Sequence, residues 1–283
     1  MDKTIIPNMG TQKVMNYSVA ILTAIHCIIS IADNDIYRDG EWANAQWLGQ
    51  DIITLVIALP LLLISIRKGI EKNKEKWKIL NCGVLLYFAY TYSFYVFVAK
   101  LTYLYFFQAS IFGLSLIGFV ISCIGIFNHK CSFNLPSRNL KMIIVIYLSL
   151  IALMLSFIWL SDIIAHITNP AHKSDTPNGE APLIIYTLDL AVIIPLMFTS
   201  AILLYQKTNW GYLLSGIILT KTSTLGFALM AMSLSMYLQD LNPDYFLIIL
   251  WCIIGLIGTI LTLLFLNKLK IKENTESNKE YKK

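Results

Sequence analysis

The chain has 283 residues, of which 57% are hydrophobic and 14% charged, and its mean hydropathy is +0.64. A soluble domain carries about 25% charge, so this composition excludes an ordinary soluble enzyme, a disordered chain and a nucleic-acid binder, and indicates a membrane protein. The net charge of +5 belongs to loops and tails, as the chain order shows.

A helix needs about 20 mostly apolar residues to cross a bilayer core, where no backbone polar group can be left unpaired. Eight runs qualify: 14–32, 51–67, 79–99, 102–127, 142–161, 183–205, 211–237 and 245–267. An all-α bundle of eight transmembrane spans is therefore predicted, as a single domain over 1–267 with a basic tail over 268–283. The first run contains Ser30-Ile31-Ala32, which would suit signal-peptide cleavage. It is long enough to span, however, and reads as a retained helix. Loop 33–50, with Trp42 and Trp47, reads as a short interfacial helix. The second run is short and contains Pro60. The third and fourth are parted only by Lys100 and Leu101, which predicts a tight hairpin. Loop 162–182, with Pro170, Pro177, Gly179 and Pro182, reads as irregular. The tail is expected to be solvated, and its charge also suits anionic lipid heads.

Lys and Arg accumulate in cytoplasmic loops. Nearly all of the 22 here fall on one side. These are Lys3 and Lys13, the cluster Arg67 to Lys78, Lys130, Arg138, Lys141, Lys207 and the tail. Only Arg38, Lys100 and Lys173 fall opposite, and Lys221 lies inside a span. Both termini are expected in the cytoplasm, in a multi-pass protein of the bacterial cytoplasmic membrane. The five cysteines, Cys27, Cys82, Cys123, Cys131 and Cys252, form no C-x-x-C pair. Neither a disulfide framework nor a zinc site is expected from them.

A duplication is also visible. Ala58-Leu59-Pro60-Leu61, Trp77 and Gly83 recur as Ile193-Ile194-Pro195-Leu196, Trp210 and Gly216, and Leu116-Ile117-Gly118 recurs as Leu256-Ile257-Gly258. Two parallel four-helix halves, 14–127 and 142–267, are expected, although apolar sequences also align by chance. Parallel repeats occur in transporters with binding sites between the halves.

Ionisable groups inside spans are costly and mark candidate sites. At 1.5 Å per residue, His26, Gln108 and Asp189 each lie about 9 Å below the outer surface. Asp51 sits at the outer mouth of span two, where it could cap its helix, and Tyr92 and Tyr95 near the outer end of span three. Asp162 and His166 close span five. Together they predict a polar pocket open to the outside. Lys221 lies about 13 Å from the inner end of span seven, among Thr220, Thr222, Ser223 and Thr224. Its height disfavours a direct bridge to Asp189. Water, a carbonyl freed by Pro195 or a bound anion are the neutralising partners considered. Tyr87, Tyr90, Thr91, Phe94 and Tyr95 fall on one helical face, whose aromatic residues read as packing or as a wall for an apolar ligand or lipid.

Trp42, Gln46, Gly49-Gln50-Asp51, Thr54-Leu55 and Pro60-Leu61-Leu62 resemble an uncharacterised family of bacterial polytopic membrane proteins. So do the Tyr87–Tyr95 stretch, Asp189 with Pro195-Leu196, and Trp210-Gly211-Tyr212 with Lys221. The resemblance implies architecture and location but no reaction. The family's Arg-rich loop after span two is Lys-rich here.

No nucleotide-binding, metalloprotease or serine-hydrolase motif is present, so no catalytic residue, metal or cofactor is assigned. The expected partners are the bilayer and a small-molecule or lipid ligand. The favoured function is a small-molecule carrier or ligand-binding membrane protein whose pocket comprises His26, Asp51, Tyr92, Tyr95, Gln108, Asp189 and Lys221. The alternatives are an intramembrane enzyme acting on a lipid or quinone-like substrate, and a non-catalytic sensor or assembly partner.

Overall fold

A computed structural model of the chain describes residues 9–128, 131–169, 171–174, 176, 180–241 and 245–273. Eight helices are long and apolar enough to cross a membrane, and the chain is a multi-pass membrane protein. They are α1 (Met9–Ala32), α2 (Glu41–Glu71), α3 (Glu75–Phe97), α4 (Tyr105–Asn128), α5 (Arg138–Thr168), α6 (Leu183–Tyr205), α7 (Asn209–Leu238) and α8 (Tyr245–Lys268). Two short strands, β1 (Cys131–Asn134) and β2 (Lys270–Glu273), follow α4 and α8 and pair antiparallel, Cys131 opposite Glu273 and Asn134 opposite Lys270.

Several boundaries differ from the sequence expectation. The short second span is the middle of α2, a helix of 31 residues that starts at Glu41 behind Gly40. Of the 33–50 stretch, Asn34–Ile36 forms a three-residue 3-10 turn and residues 41–50 belong to α2, and Asp51 lies within the helix rather than capping it. Helix α5 runs through Thr168, so Asp162 and His166 are helical. Of the expected tail, Lys268 ends α8 and Lys270–Glu273 form β2. Lys3, Lys130, Pro170, Pro177, Gly179 and the tail beyond Glu273 lie outside the described residues. The starts of α5 and α7 are set by side-chain caps, Ser137 accepting from Leu140 N and Thr208 from Gly211 N, which satisfy free N–H groups at the helix ends.

Polarity decides which helices sit inside. Helix α3, rich in Tyr, Ser, Thr and Asn, has the lowest span hydropathy, 1.3, and is 89% buried. Helices α5 and α8, at hydropathy 2.7, are only 22% and 28% buried. Side chains that lipid cannot solvate are enclosed by helices that lipid can. Helix α3 packs on α2, α4 and α7, and α7 packs on α2, α6 and α8. Helix α1 packs on α2 and α4, and α5 on α6 and α8.

Small residues permit the central crossing, as in membrane helices generally. A Cβ on Gly83 of α3 would lie 2.5 Å from Thr220 Cβ of α7, and one on Gly216 of α7 would lie 2.5 Å from Ile79 Cγ2 of α3. Gly226 and Gly255 bring the backbones of α7 and α8 together in the same way. Nearby, Asn81 of α3 donates to Asn16 Oδ1 of α1 at 2.8 Å and to Ser65 Oγ of α2 at 2.9 Å.

Helices α2 and α6 contain widened π turns at Thr54–Ala58 and Asp189–Ile193, and α2 has another at its end, Ile66–Glu71. The turns at Thr54–Ala58 and Asp189–Ile193 each end two residues before a proline, Pro60 or Pro195. The residue preceding the proline donates five positions back, Leu59 N to Thr54 O and Ile194 N to Asp189 O. Proline has no N–H and its ring crowds the preceding turn, and the wider turn gives that ring room while the residue before it stays bonded.

Candidate functional site

Helix α3 separates two buried polar networks. All seven residues picked out in the sequence are at most 4% exposed, but they divide between the two.

The first network gathers His26, Asp51, Tyr92, Tyr95 and Gln108. Asp51 Oδ2 accepts from Ser30 Oγ and from Tyr37 OH, each at 2.6 Å, and Oδ1 accepts from Tyr95 OH at 2.7 Å. His26 lies between Tyr92 OH, 3.1 Å from Nδ1, and the Gln108 amide nitrogen, 3.2 Å from Nε2. With the Gln108 amide donating, Nε2 accepts and the imidazole proton sits on Nδ1, facing Tyr92 and, at 3.8 Å, Asp51. Tyr37 descends from the α1–α2 connection. Burial and the neighbouring Asp51 carboxyl push its phenol well above the ordinary range, so it stays an O–H donor. Its ring lies 6.0 Å from Tyr95, and Trp47 lies 4.7 Å from Tyr95, closing the network toward that end of the bundle. These groups saturate one another, so they form a closed polar plug in this conformation rather than an open pocket. His26, Cys27 and Asp51 offer donor atoms within 4.8 Å of one another. A metal there would have to displace three hydroxyl donors from Asp51.

The second network holds Asp189 and Lys221. Asp189 begins the π turn of α6, which turns its carboxyl toward α3 and α5. Oδ1 accepts from Tyr90 OH at 2.8 Å and Oδ2 from Trp159 Nε1 at 2.9 Å. Lys221 Nζ lies 3.6 Å from the centroid of the same Tyr90 ring, a cation–π contact. The two charges are not in direct contact, as their heights along the bundle suggested, yet one tyrosine side chain spans the gap. The separation is much smaller than vertical helices would give. Helix α7 has 30 residues, far more than a perpendicular crossing needs, so counting along its axis overstates height differences. Lys221 Nζ makes no hydrogen bond or ion pair among the described residues, although the side chain is 1% exposed.

A third group lies at the end of α5. Asp162 Oδ1 pairs with His172 Nε2 at 2.7 Å, and Oδ2 accepts from Ser174 Oγ at 2.5 Å and from Tyr186 OH. His166 Nε2 lies 2.8 Å from Ser174 Oγ.

Sequence reasoning missed Ser30, Tyr37, Tyr90 and Trp159 as members of these networks. The expected single aromatic face of α3 does not form. Tyr87, Tyr92 and Tyr95 pack with the α1–α2 side, Tyr90 with the α5–α8 side, and Phe94 reaches both. A helix enclosed on every side has no outer face for such a pattern to mark. The placement of Tyr90 within a span, rather than at its end, is a sequence signal that bore on them.

Comparison with protein-family models, with curated proteins and with solved structures finds no match for this chain.

Proposed function

We propose that this protein is a carrier or binding protein for a small solute bearing an anionic group, in the bacterial cytoplasmic membrane with both termini inside. The observation that carries the reading is the Asp189–Tyr90–Lys221 arrangement. A buried ammonium costs several kcal/mol unless it is paired, and among the described residues Lys221 has the Tyr90 ring face as its direct contact, with the Asp189 charge acting from beyond it. Its donors suit a carboxylate or phosphate, and Asp189, one tyrosine away, suits a positive group on the same solute. The His26–Asp51 network plugs the route toward the face opposite the basic loops.

A duplicated architecture supports the reading. The contacts α1–α2, α2–α3, α3–α4 and α1–α4 have counterparts in α5–α6, α6–α7, α7–α8 and α5–α8, and α2–α7 corresponds to α3–α6. Gly83 and Gly216, which correspond in sequence, both lie in the α3–α7 crossing, Gly83 against Thr220 and Ile217 and Gly216 against Ile79. The first residues of the two π turns that precede prolines also correspond, and both reach a tyrosine of α3: Thr54 Oγ1 meets Tyr87 OH at 2.9 Å, and Asp189 meets Tyr90. The proline-broken helices α2 and α6 are the elements whose rocking would open the plug. The excess of Lys and Arg in the loops of one face supports a cytoplasmic side there.

Proteoliposomes offered a panel of labelled carboxylates, phosphates and amino acids should accumulate at least one of them. Asp189→Asn and Lys221→Met should each abolish that uptake. Uptake unchanged in both variants removes the two residues from the pathway. A chain retaining Cys27 as its only thiol gives a second test, because Cys27 is fully buried beside Asp51. A plug that opens exposes Cys27 to a membrane-impermeant thiol reagent. A chain that takes up nothing and is never labelled holds a static network and is not a carrier.

A further inference from the structure

The Asp162 cluster lies apart from both networks just described, at the opposite end of the bundle from the basic loops. Asp162 and His166 are four residues apart on α5, so they project from one helical face. His172 and Ser174, from beyond the end of α5, meet them, and Tyr186 arrives from α6. The imidazole rings of His166 and His172 stand edge to face with centroids 4.7 Å apart. Asp162, His166 and His172 each offer one ligand atom, and these atoms lie within 4.8 Å of one another.

Two arrangements of this chemistry compete. A nucleophilic relay needs a serine bonded to an imidazole that is itself held by a carboxylate. Here the imidazole on Asp162 is His172, whereas the one on Ser174 is His166. Ser174 gives its own proton to Asp162, so the order of a relay is absent. The metal arrangement fits better. Two imidazoles and one carboxylate are a ligand set that suits zinc rather than magnesium or calcium. Tetrahedral zinc with bonds of about 2.0–2.1 Å places its ligands roughly 3.4 Å apart, so small side-chain movements complete the site. The surrounding shell is already built. Ser174 and Tyr186 both donate to Asp162 Oδ2, which orients the carboxylate and leaves Oδ1 toward His172, the role that outer partners play around metal ligands.

We propose that Asp162, His166 and His172 form a zinc site on the face opposite the basic loops, which ties the α5–α6 connection to the end of α5. Three protein ligands leave a fourth position for water.

The test uses the full-length, tag-free chain in detergent, stripped with a chelator and titrated with zinc chloride. The expected result is one tightly bound zinc per chain. His166→Gln and His172→Gln should each remove it, and Tyr186→Phe should weaken it about tenfold. Cobalt in place of zinc should give the visible absorption of a tetrahedral nitrogen and oxygen site, without a sulfur charge-transfer band. That spectrum is read on the unaltered chain, so it decides the matter even if a variant fails to fold. Failure to bind stoichiometric zinc overturns the proposal. So does zinc retained by both glutamine variants, or a cobalt–sulfur band, which would move the metal to cysteine.

Discussion

Tyr90 does two jobs with two parts of one side chain. Its hydroxyl donates to Asp189 and its ring face receives Lys221. Tyr90→Phe keeps the second and removes the first. A buried acceptor left short of one donor costs about 1–3 kcal/mol, so Tyr90→Phe should lower unfolding free energy by that amount in detergent. Lys221→Met should have the same effect in the unaltered chain and in a Tyr90→Phe background, since the ring remains. In a Tyr90→Leu background its effect should change by about 0.5–3 kcal/mol, the size of a direct coupling. Denaturant unfolding of the cycle measures both terms, and a neutral Tyr90→Phe with no coupling in the Tyr90→Leu cycle would refute the arrangement. At this scale the sequence was half legible. Asp189, Lys221, His26 and Asp51 stood out because charge in an apolar run is expensive wherever the run folds. Tyr90, Tyr37 and Trp159 did not, because an aromatic residue in a span is equally at home in packing. Only the fold tells which hydroxyl or indole N–H meets which carboxyl.

Among the elements, the crossing of α3 and α7 shows how close approach is enforced. A methyl at position 83 would sit 2.5 Å from Thr220 Cβ and 2.7 Å from the Ile217 carbonyl oxygen, whereas a methyl at position 113 of α4 meets nothing within 4 Å. Gly83→Ala should therefore destabilise by about 1–3 kcal/mol through overpacking. Gly113→Ala should stabilise by up to about 1 kcal/mol, because alanine is the better helix former. Thermal unfolding of the two variants side by side tests this, and equal effects would mean that α3 and α7 are not in backbone contact. Gly83 and Gly216 were visible in the sequence only as a weak repeat. Their spacing carried no information on which helix each would face. Pro60 and Pro195 were legible as breaks, but the form of the break was not. Whether a proline kinks a helix or widens it into a π turn depends on how neighbouring helices hold the chain on either side. The longer α2 was missed because Glu41 to Gln50 is too polar for a hydropathy window, although Trp47, Gly49 and Gln50 are buried against protein.

For the molecule as a whole, the scarcity of charge sorts the helices. The most apolar spans form the lipid-facing shell and the most polar, α3 and α7, its axis. Span number was legible from apolar run length, which is a local property. The pairing of β1 with β2 was not, because it joins a segment from the middle of the chain to one near its C-terminal end. The same arrangement predicts how the chain behaves when cut. Divided between β1 and α5, into 1–134 and 135–283, each piece keeps four helices. Each also exposes one half of the α3–α7 contact: Gly83 and Tyr90 on the first piece, Gly216 and Lys221 on the second. Alone, each piece would present these groups to lipid, which offers Lys221 no partner and Tyr90 no acceptor. Co-expressed, the pieces can close the crossing and pair β1 with β2. Tagging the first piece should therefore capture the second in about equal amount after detergent extraction, and either piece expressed alone should fail to accumulate. A first piece that accumulates by itself and captures nothing would place the stabilising contacts within the halves and not across α3 and α7.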